Sequence, residues 1–105
     1  MSQLLDTGFL YALLNSNEAR HADVLRASRS VRGTIYLPTV VTTEVAYLVQ
    51  RDLGSDALAE FIEMLAAESF VLLEPAAADF QRAAAVVRQY RDSEIDFVDA
   101  ILFSM

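Results

Sequence analysis

Three acidic residues stand at widely separated positions where the surrounding sequence is apolar. Asp6 follows a short apolar run, Glu44 lies among valines at helical spacing, and Asp99 precedes Ala, Ile and Leu. Carboxylates on or beside buried faces repel one another and are costly to bury unless a cation accompanies them. Mg²⁺ and Mn²⁺ prefer oxygen ligands, and such a cation activates water at a phosphate. The three acids therefore predict a site for a hard divalent cation.

These acids also have local structural interpretations, which the residues alone leave open. Asp6 is suited to cap the following helix through a nearby backbone amide, and Glu44 is suited to a capping box with a preceding threonine. Asp96 lies one helical turn before Asp99. It is suited to the N-cap of the last helix, whose dipole would favour Asp99 in the first turn. A structural role is favoured for Asp96 and a functional one for Asp99.

Composition excludes several other kinds of site. The chain has 105 residues, a formal net charge of −7 and no cysteine, which rules out disulfide scaffolds, zinc knuckles, iron–sulfur clusters and cysteine nucleophiles. All eight basic residues are arginine, so catalytic and P-loop lysines are excluded, and a phosphoryl-transfer domain with Asp6 as acceptor is disfavoured. His21, the single histidine, lies in an arginine-rich segment and is predicted to be a surface residue.

Short apolar strands alternate with helical runs along the chain. The order β-α-α-β-α-α-β-α-α predicts crossover units and a parallel sheet covered by helices, which is an α/β fold. Sites in such sheets lie beyond the carboxyl ends of the strands, where Asp6 follows the first predicted strand. Strands are predicted at 2–5, 34–37 and 70–73. Helices are predicted at 9–14, 18–30, 55–68, 76–90 and from 97 onward, and another runs from a cap at Thr39 or Thr42 to about residue 53.

The chain resembles the PIN domain, and within it the VapC-type ribonuclease toxins of bacterial toxin–antitoxin pairs. The resemblance covers essentially the whole chain and implies a three-layer α/β/α PIN-like fold. It is carried by three motifs that occur in the family's order: Asp6-Thr7-Gly8-Phe9-Leu10, Thr43-Glu44-Val45 and Asp99-Ala100-Ile101.

The resemblance implies a metal-dependent endoribonuclease. Asp6, Glu44 and Asp99 match three of the family's acidic positions, so they are expected to be the catalytic residues and to bind Mg²⁺ or Mn²⁺. Thr7 matches the hydroxyl beside the first acid that helps to orient the site. Asp96 is an acid that some members carry just before the third site residue, and we expect it to act from outside the metal's ligand set.

The arginines of residues 20–32 predict a nucleic-acid contact. Arg20, Arg26, Arg29 and Arg32 outnumber Asp23, which leaves a local charge of +3. Such a cluster suits RNA phosphates or an acidic partner, and it equally suits a solvated helix face. The first three arginines are the predicted RNA contacts.

The resemblance also implies partners: RNA as substrate, a cognate antitoxin protein, and a second copy in a homodimer. The competing hypothesis is a non-catalytic module that binds the antitoxin or dimerises. The family continues past the last helix into a strand whose end carries a fourth acid, so residues 1–105 are expected to form a single domain truncated at its C-terminal end.

No apolar run reaches the ~20 residues of a membrane span, and the N-terminus lacks the features of a signal peptide. We therefore expect the protein to be located in the cytoplasm and not to associate with a membrane.

Overall fold

The computed structural model describes residues 6–30, 34–66 and 70–105, together with the backbone of a strand at residues 3–4. In the part of the chain so described, no helix combines the length and apolar character needed to cross a membrane. The elements are β1 (Gln3–Leu4), α1 (Thr7–Leu14), α2 (His21–Ser28), β2 (Ile35–Pro38), α3 (Thr39–Leu53), α4 (Ser55–Met64), β3 (Phe70–Leu73), α5 (Ala77–Gln89), a 3₁₀ helix (Arg91–Ser93) and α6 (Phe97–Ser104).

The strands form one parallel sheet in the order β1-β2-β3. Gln3 pairs with Ile35, and all of β2 pairs with β3, from Ile35 opposite Phe70 to Pro38 opposite Leu73. The predicted alternation of one strand with two helices is confirmed, and with it the α/β fold class. Because the strands are parallel, their carboxyl ends meet at one edge of the sheet, and α1 and α3 begin there.

Helix α1 begins at Thr7, two residues before the predicted Phe9. The Asp6 side chain accepts a hydrogen bond from the Phe9 backbone N–H at 2.8 Å and so caps the helix. Gly8 therefore lies inside the first helical turn, before the predicted start of the helix. Glycine is typical of turns, but a capped first helical turn also accommodates it.

Helix α2 begins at His21, later than predicted, because Asn15 organises a polar turn before it. Asn15 Oδ1 accepts from the Asn17 N–H, and the Asn15 carbonyl accepts from the Glu18 N–H, both at 3.0 Å. The His21 ring then contacts the Ala12 carbonyl through Nδ1 at 2.8 Å. This histidine is half-buried and fastens α2 to α1, so the prediction of a surface residue is wrong.

Two further predicted helix ends differ from the structure or lie beyond what it describes. The second helix, predicted to reach residue 30, ends at Ser28, and Arg32-Gly33, its predicted stop signal, lies outside the described residues. Helix α4 ends at Met64 rather than at residue 68. The stop of α3 at Gly54 is confirmed, with φ at +91°, a conformation that favours glycine.

The core is built around α3. Val41, Val45 and Val49 are at most 1% exposed and pack with Leu10 of α1 and Leu37 of β2. A smaller apolar cluster joins α5 to α6. Helix α3 packs against both α1 and α6, so the three helices that bear the predicted site acids are held together by this core.

A polar network also fastens α1 to the C-terminal end of α3. The Tyr11 hydroxyl donates to Asp52 and accepts from Asn15 Nδ2, which lies 3.0 Å away. Arg51 donates two hydrogen bonds to the same Asp52 carboxylate, at 2.8 and 3.0 Å. Arg51 and Tyr11 together lower the pKa of the Asp52 carboxyl to about 2, and the bond to Asp52 raises the pKa of the Tyr11 hydroxyl.

Candidate active site

Asp6 stands between β1 and α1, at the carboxyl edge of the sheet. Its Oδ1 atom accepts from the Phe9 N–H at 2.8 Å, which confirms the capping interpretation. A carboxylate offers about four lone-pair positions, and this bond occupies one of them. Asp6 is exposed, and its Oδ2 atom accepts no hydrogen bond from the described residues. Capping therefore leaves Asp6 able to bind a cation.

Asp96 and Asp99 lie at the start of α6. Asp96 is the N-cap residue, and its Oδ1 atom accepts from the Asp99 backbone N–H at 2.8 Å. The structural role predicted for Asp96 is thereby confirmed. Because the two residues are three apart at a helix start, both carboxylates lie at the same end of α6.

The Asp99 carboxyl has a raised pKa. The main cause is desolvation by surrounding protein atoms, and the negative charges of Asp96 and then Asp6 raise it further. Asp99 is nevertheless exposed overall, so protein crowds the carboxylate from one side while solvent reaches the other. The contribution of Asp6 shows that carboxylates from the two ends of the chain lie within electrostatic reach of each other.

Thr7 follows Asp6 directly and carries a polar atom without a partner. Its Oγ1 is buried and makes no hydrogen bond with any described residue. An unsatisfied buried hydroxyl costs roughly 1–3 kcal/mol, so a ligand or water that paired with it would be favoured. The position agrees with the supporting role that the sequence predicted for Thr7.

Glu44 lies on α3 and is half-buried. The predicted alternative, a capping box, is wrong because no side chain caps the first turn of α3. Instead, the hydroxyls of Thr42 and Thr43 both donate to the Thr39 carbonyl, at 2.8 and 3.2 Å. Helix α3 packs against α1 and α6, but the structure does not bring the Glu44 carboxylate into a cluster with those of Asp6 and Asp99.

Arg20 reaches over the first turn of α1. A methyl group added at Gly8 would lie 3.1 Å from Arg20 Nη2 and 3.8 Å from Asp6 Oδ1. The guanidinium of Arg20 therefore lies near Asp6 and close to the space that a side chain at position 8 would enter. The sequence predicted Arg20 as an RNA contact but did not predict that its side chain lies close to Gly8. A glycine near a helix start is one signal that another group approaches the backbone closely.

The other arginines of this segment differ from Arg20 in their surroundings. Arg26 donates to Asp23 on the same helix face, and both side chains are largely exposed. Surface ion pairs of this kind contribute at most about 1 kcal/mol. Arg29 is also exposed, and Arg32 lies outside the described residues. Arg20 differs from Arg26 in that its guanidinium lies near Asp6.

The donor chemistry of this site fits a hard divalent cation. Within the described ranges, no group of three His, Cys, Asp or Glu residues is arranged to hold a metal ion. Mg²⁺, however, is typically held by one or two carboxylates and keeps several waters. Asp6 and Asp99 supply two carboxylates, and the unpartnered Thr7 hydroxyl lies beside the first. The fit to a divalent cation therefore depends on the carboxylates of Asp6 and Asp99 and not on a preformed cluster of three acidic residues.

Comparisons with known proteins agree with this fold. Residues 4–105 match the PIN domain family. Ribonuclease VapC26 of Mycobacterium tuberculosis is 31% identical over 97 residues, which are 92% of this chain and 72% of that protein.

Two solved structures are also similar. VapC20, a sarcin–ricin loop cleaving toxin of Mycobacterium tuberculosis, superposes with a TM-score of 0.89 at 24% identity, over 99% of this chain and 79% of its own. A toxin–antitoxin complex from Klebsiella pneumoniae gives a TM-score of 0.67 at 16% identity, over 99% and 76% of the two chains. At these identities the two structures establish a shared fold. The match of residues 4–105 to the family model shows that the chain belongs to the PIN domain family.

Proposed function

We propose that this protein is a metal-dependent endoribonuclease, the toxin of a type II toxin–antitoxin pair, which hydrolyses RNA phosphodiester bonds. The observation that carries the proposal is the placement of Asp6 at the start of α1 and of Asp99 in the first turn of α6, with the Thr7 hydroxyl, which has no partner among the described residues, next to Asp6 in the chain. The 31% identity to ribonuclease VapC26 supports the same activity. PIN domain membership makes a nuclease, a hydrolase, the natural class of enzyme.

In this proposal Asp6, Glu44 and Asp99 are the catalytic residues: Asp6 and Asp99 hold Mg²⁺ or Mn²⁺ as a pair, and the Glu44 carboxylate joins them when the cation binds. When bound, the cation supplies positive charge at the phosphate and makes water a stronger nucleophile. Asp6 presents its free Oδ2 atom while its Oδ1 atom holds the start of α1. Thr7 has a buried hydroxyl available to orient that carboxylate or a water beside it.

Asp96 and the arginines have supporting parts in the proposal. Asp96 fixes the Asp99 backbone through the bond at 2.8 Å and so positions the Asp99 carboxylate. Arg20 lies beside Asp6 and binds a phosphate oxygen next to the scissile bond, because guanidinium groups match phosphate geometry. Arg26 and Arg29, further along this segment, contact the RNA backbone more weakly.

The same proposal includes the partners of the protein and its location in the cell. We propose a cognate antitoxin protein, a homodimer, and action on RNA in the cytoplasm without membrane association. Large apolar side chains are exposed on α3 and α4, among them Tyr47 at 64% and Ile62 at 56%, and this surface is available for an antitoxin or a second copy. The similarity to a toxin–antitoxin complex supports the antitoxin as partner.

The first experiment measures metal binding without RNA. We expect isothermal titration of the chain with MnCl₂ to show binding that Asp6→Asn and Asp99→Asn each weaken at least tenfold. Asp56→Asn is the matched control because Asp56, like Asp99, lies in the first turn of a helix. Equal Mn²⁺ affinity in all four proteins would contradict the assignment of these two acids.

The second experiment measures cleavage of a single-stranded RNA with Mg²⁺ or Mn²⁺. We expect cleavage that EDTA abolishes, that Asp6→Asn and Asp99→Asn reduce more than 100-fold, and that Asp56→Asn leaves unchanged. Retained cleavage in either site variant would refute the assignment. If the chain neither binds Mn²⁺ nor cleaves RNA, yet binds its antitoxin, the non-catalytic interaction module is the correct interpretation.

A further inference from the structure

A cavity adjoins the acidic pair at Asp99. It has a volume of about 500 Å³ and lies between the end of α5, the 3₁₀ helix and α6. Asp96 and Asp99 line one part of it, and Tyr90 and Phe103 line another. This volume falls within the ~300–1,000 Å³ of small-molecule sites. Because Asp99 belongs to both, a group held in the cavity would lie next to a phosphate at the acidic pair.

The two aromatic residues of this cavity are unusually open to solvent. Phe103 is 74% exposed and Tyr90 is 46% exposed. Unpaired nucleic-acid bases stack on such rings, and each stacked base contributes enough to change affinity about 5- to 100-fold. The aromatic part of the cavity therefore has the chemistry of a base-binding surface.

Glu94 lies on the polar rim of the cavity. Among the described residues other than glycine, it is the one with a left-handed backbone conformation. Glu94 has φ 53° and ψ 44°, a conformation that bulky residues rarely adopt. Strained residues of this kind concentrate at functional sites, where the rest of the structure holds them in place. This backbone places Glu94 on the cavity with its carboxylate exposed. A carboxylate there accepts hydrogen bonds from amino groups on a base edge, as acidic residues do with cytosine.

We propose that this cavity binds one unpaired RNA base adjacent to the cleaved phosphodiester, with Phe103 and Tyr90 stacking on the base and Glu94 selecting bases that carry an amino group. The inference rests on the proposed function, since it makes the cavity a specificity subsite of the same reaction. A base rather than a phosphate is the occupant, because Glu94, Asp96 and Asp99 would repel a phosphate placed among them. Adenine and cytosine are therefore preferred over uracil.

The test measures RNA binding in the Asp6→Asn chain, which the proposed function makes unable to cleave and whose altered residue does not line the cavity. The probes are fluorescein-labelled hexamers of oligo(A), oligo(C) and oligo(U), compared by fluorescence anisotropy at one salt concentration, because affinity depends on salt. We expect oligo(A) and oligo(C) to bind about 5- to 10-fold more tightly than oligo(U), the low end of direct base readout, because Glu94 is exposed.

Two variants on this background separate stacking from selection. Phe103→Ala should weaken binding of all three hexamers about 5- to 30-fold, because stacking tolerates any base. Glu94→Gly should remove the preference without lowering the unfolding temperature, because glycine accepts the left-handed backbone without strain. Phe80→Ala is the matched control: Phe80 is a 46% exposed phenylalanine of α5 that does not line this cavity, so its affinities should equal those of the parent.

The outcomes distinguish this inference from the function on which it rests. If the native chain cleaves RNA but Phe103→Ala binds all three hexamers like Phe80→Ala, the base site is wrong and the nuclease stands. If the native chain cleaves no RNA but the preference and its loss are observed, the nuclease is wrong and the base site stands. If Phe103→Ala instead dissociates a dimer in sedimentation without altering RNA affinity, the aromatic surface is a subunit contact and the proposal is overturned.

Discussion

Replacing Gly8 with alanine should stabilise the protein and impair the nuclease at the same time. Gly8 lies in the first turn of α1, and glycine within a helix is less stable than alanine by roughly 0.5–1 kcal/mol. In a domain of this size, that gain corresponds to a rise of about 2–6 °C in the unfolding temperature. The neighbouring atom is the end of the flexible Arg20 side chain, so the backbone accepts the methyl group.

The loss of activity follows from the position of Arg20. The new methyl carbon would lie 3.1 Å from Arg20 Nη2, whereas non-bonded carbon contacts are optimal at about 3.5–4.0 Å. The guanidinium must therefore move by a few tenths of an ångström or more, away from Asp6. Because misplacement by about 1 Å costs up to ~100-fold in rate, we expect kcat/KM for RNA cleavage to fall about 2- to 10-fold in Gly8→Ala. Arg20→Ala, which removes a charge-assisted bond to phosphate, should reduce it about 10- to 100-fold.

A double-mutant cycle tests whether the effect of Gly8 acts through Arg20. Thermal unfolding and RNA cleavage are measured for Gly8→Ala, Arg20→Ala and the double variant. In the Arg20→Ala background the added methyl group has no guanidinium to displace, so it should leave cleavage unchanged. The reasoning is refuted if Gly8→Ala lowers the unfolding temperature, or if it reduces cleavage by the same factor in both backgrounds.

Three other perturbations test the fold that positions the site. Gly54→Ala should lower the unfolding free energy in urea by roughly 1–3 kcal/mol because φ is +91° there; an unchanged midpoint would contradict the strain. Asp96→Ala should lower it by ~1 kcal/mol through loss of the α6 cap, whereas Asp96→Ser keeps a capping oxygen and should be nearly neutral. Asp52 has a pKa lowered to about 2, so its stabilising effect is complete above about pH 4 and is lost as the pH falls towards 2. The difference in unfolding free energy between the native chain and Asp52→Asn should therefore shrink over that pH range, which acid titrations followed by circular dichroism measure. A difference that stays constant with pH would show that the Tyr11–Asp52–Arg51 network is not the source of the stability difference.

The element order could be predicted because each signal is local. The β-branched and aromatic run before Pro38 gave β2 to within one residue, and Gly54 ended α3 as predicted. The cap at Asp96 was also predicted, because an acid directly before an apolar helix has few other local roles. The element boundaries that failed depend on particular side-chain hydrogen bonds, such as those of Asp6 before α1 and of Asn15 before α2. The His21 ring reaches back to Ala12, and no periodicity of the sequence reports such a bond.

The site was predicted less completely, because its geometry is tertiary. Motif spacing predicted that Asp6 and Asp99 belong together, and their electrostatic interaction agrees with that. Whether Glu44 joins them stays a prediction, since helix spacing fixes its face but not how far its carboxylate reaches. The approach of Arg20 to Gly8 and the cavity beside Glu94 had no counterpart in the sequence analysis, because both arise where separate elements meet.

The packing of the helices has a consequence for the order of folding. Neighbours along the chain pair with each other, α1 with α2, α3 with α4 and α5 with α6, and contacts between such neighbours form early because they close short loops. The contacts of α3 with α1 and of α3 with α6 close longer loops and are expected to form later. Asp6 precedes α1 and Asp99 lies in α6, so a partly folded chain that lacks these late contacts would have its helical hairpins but no assembled acidic centre.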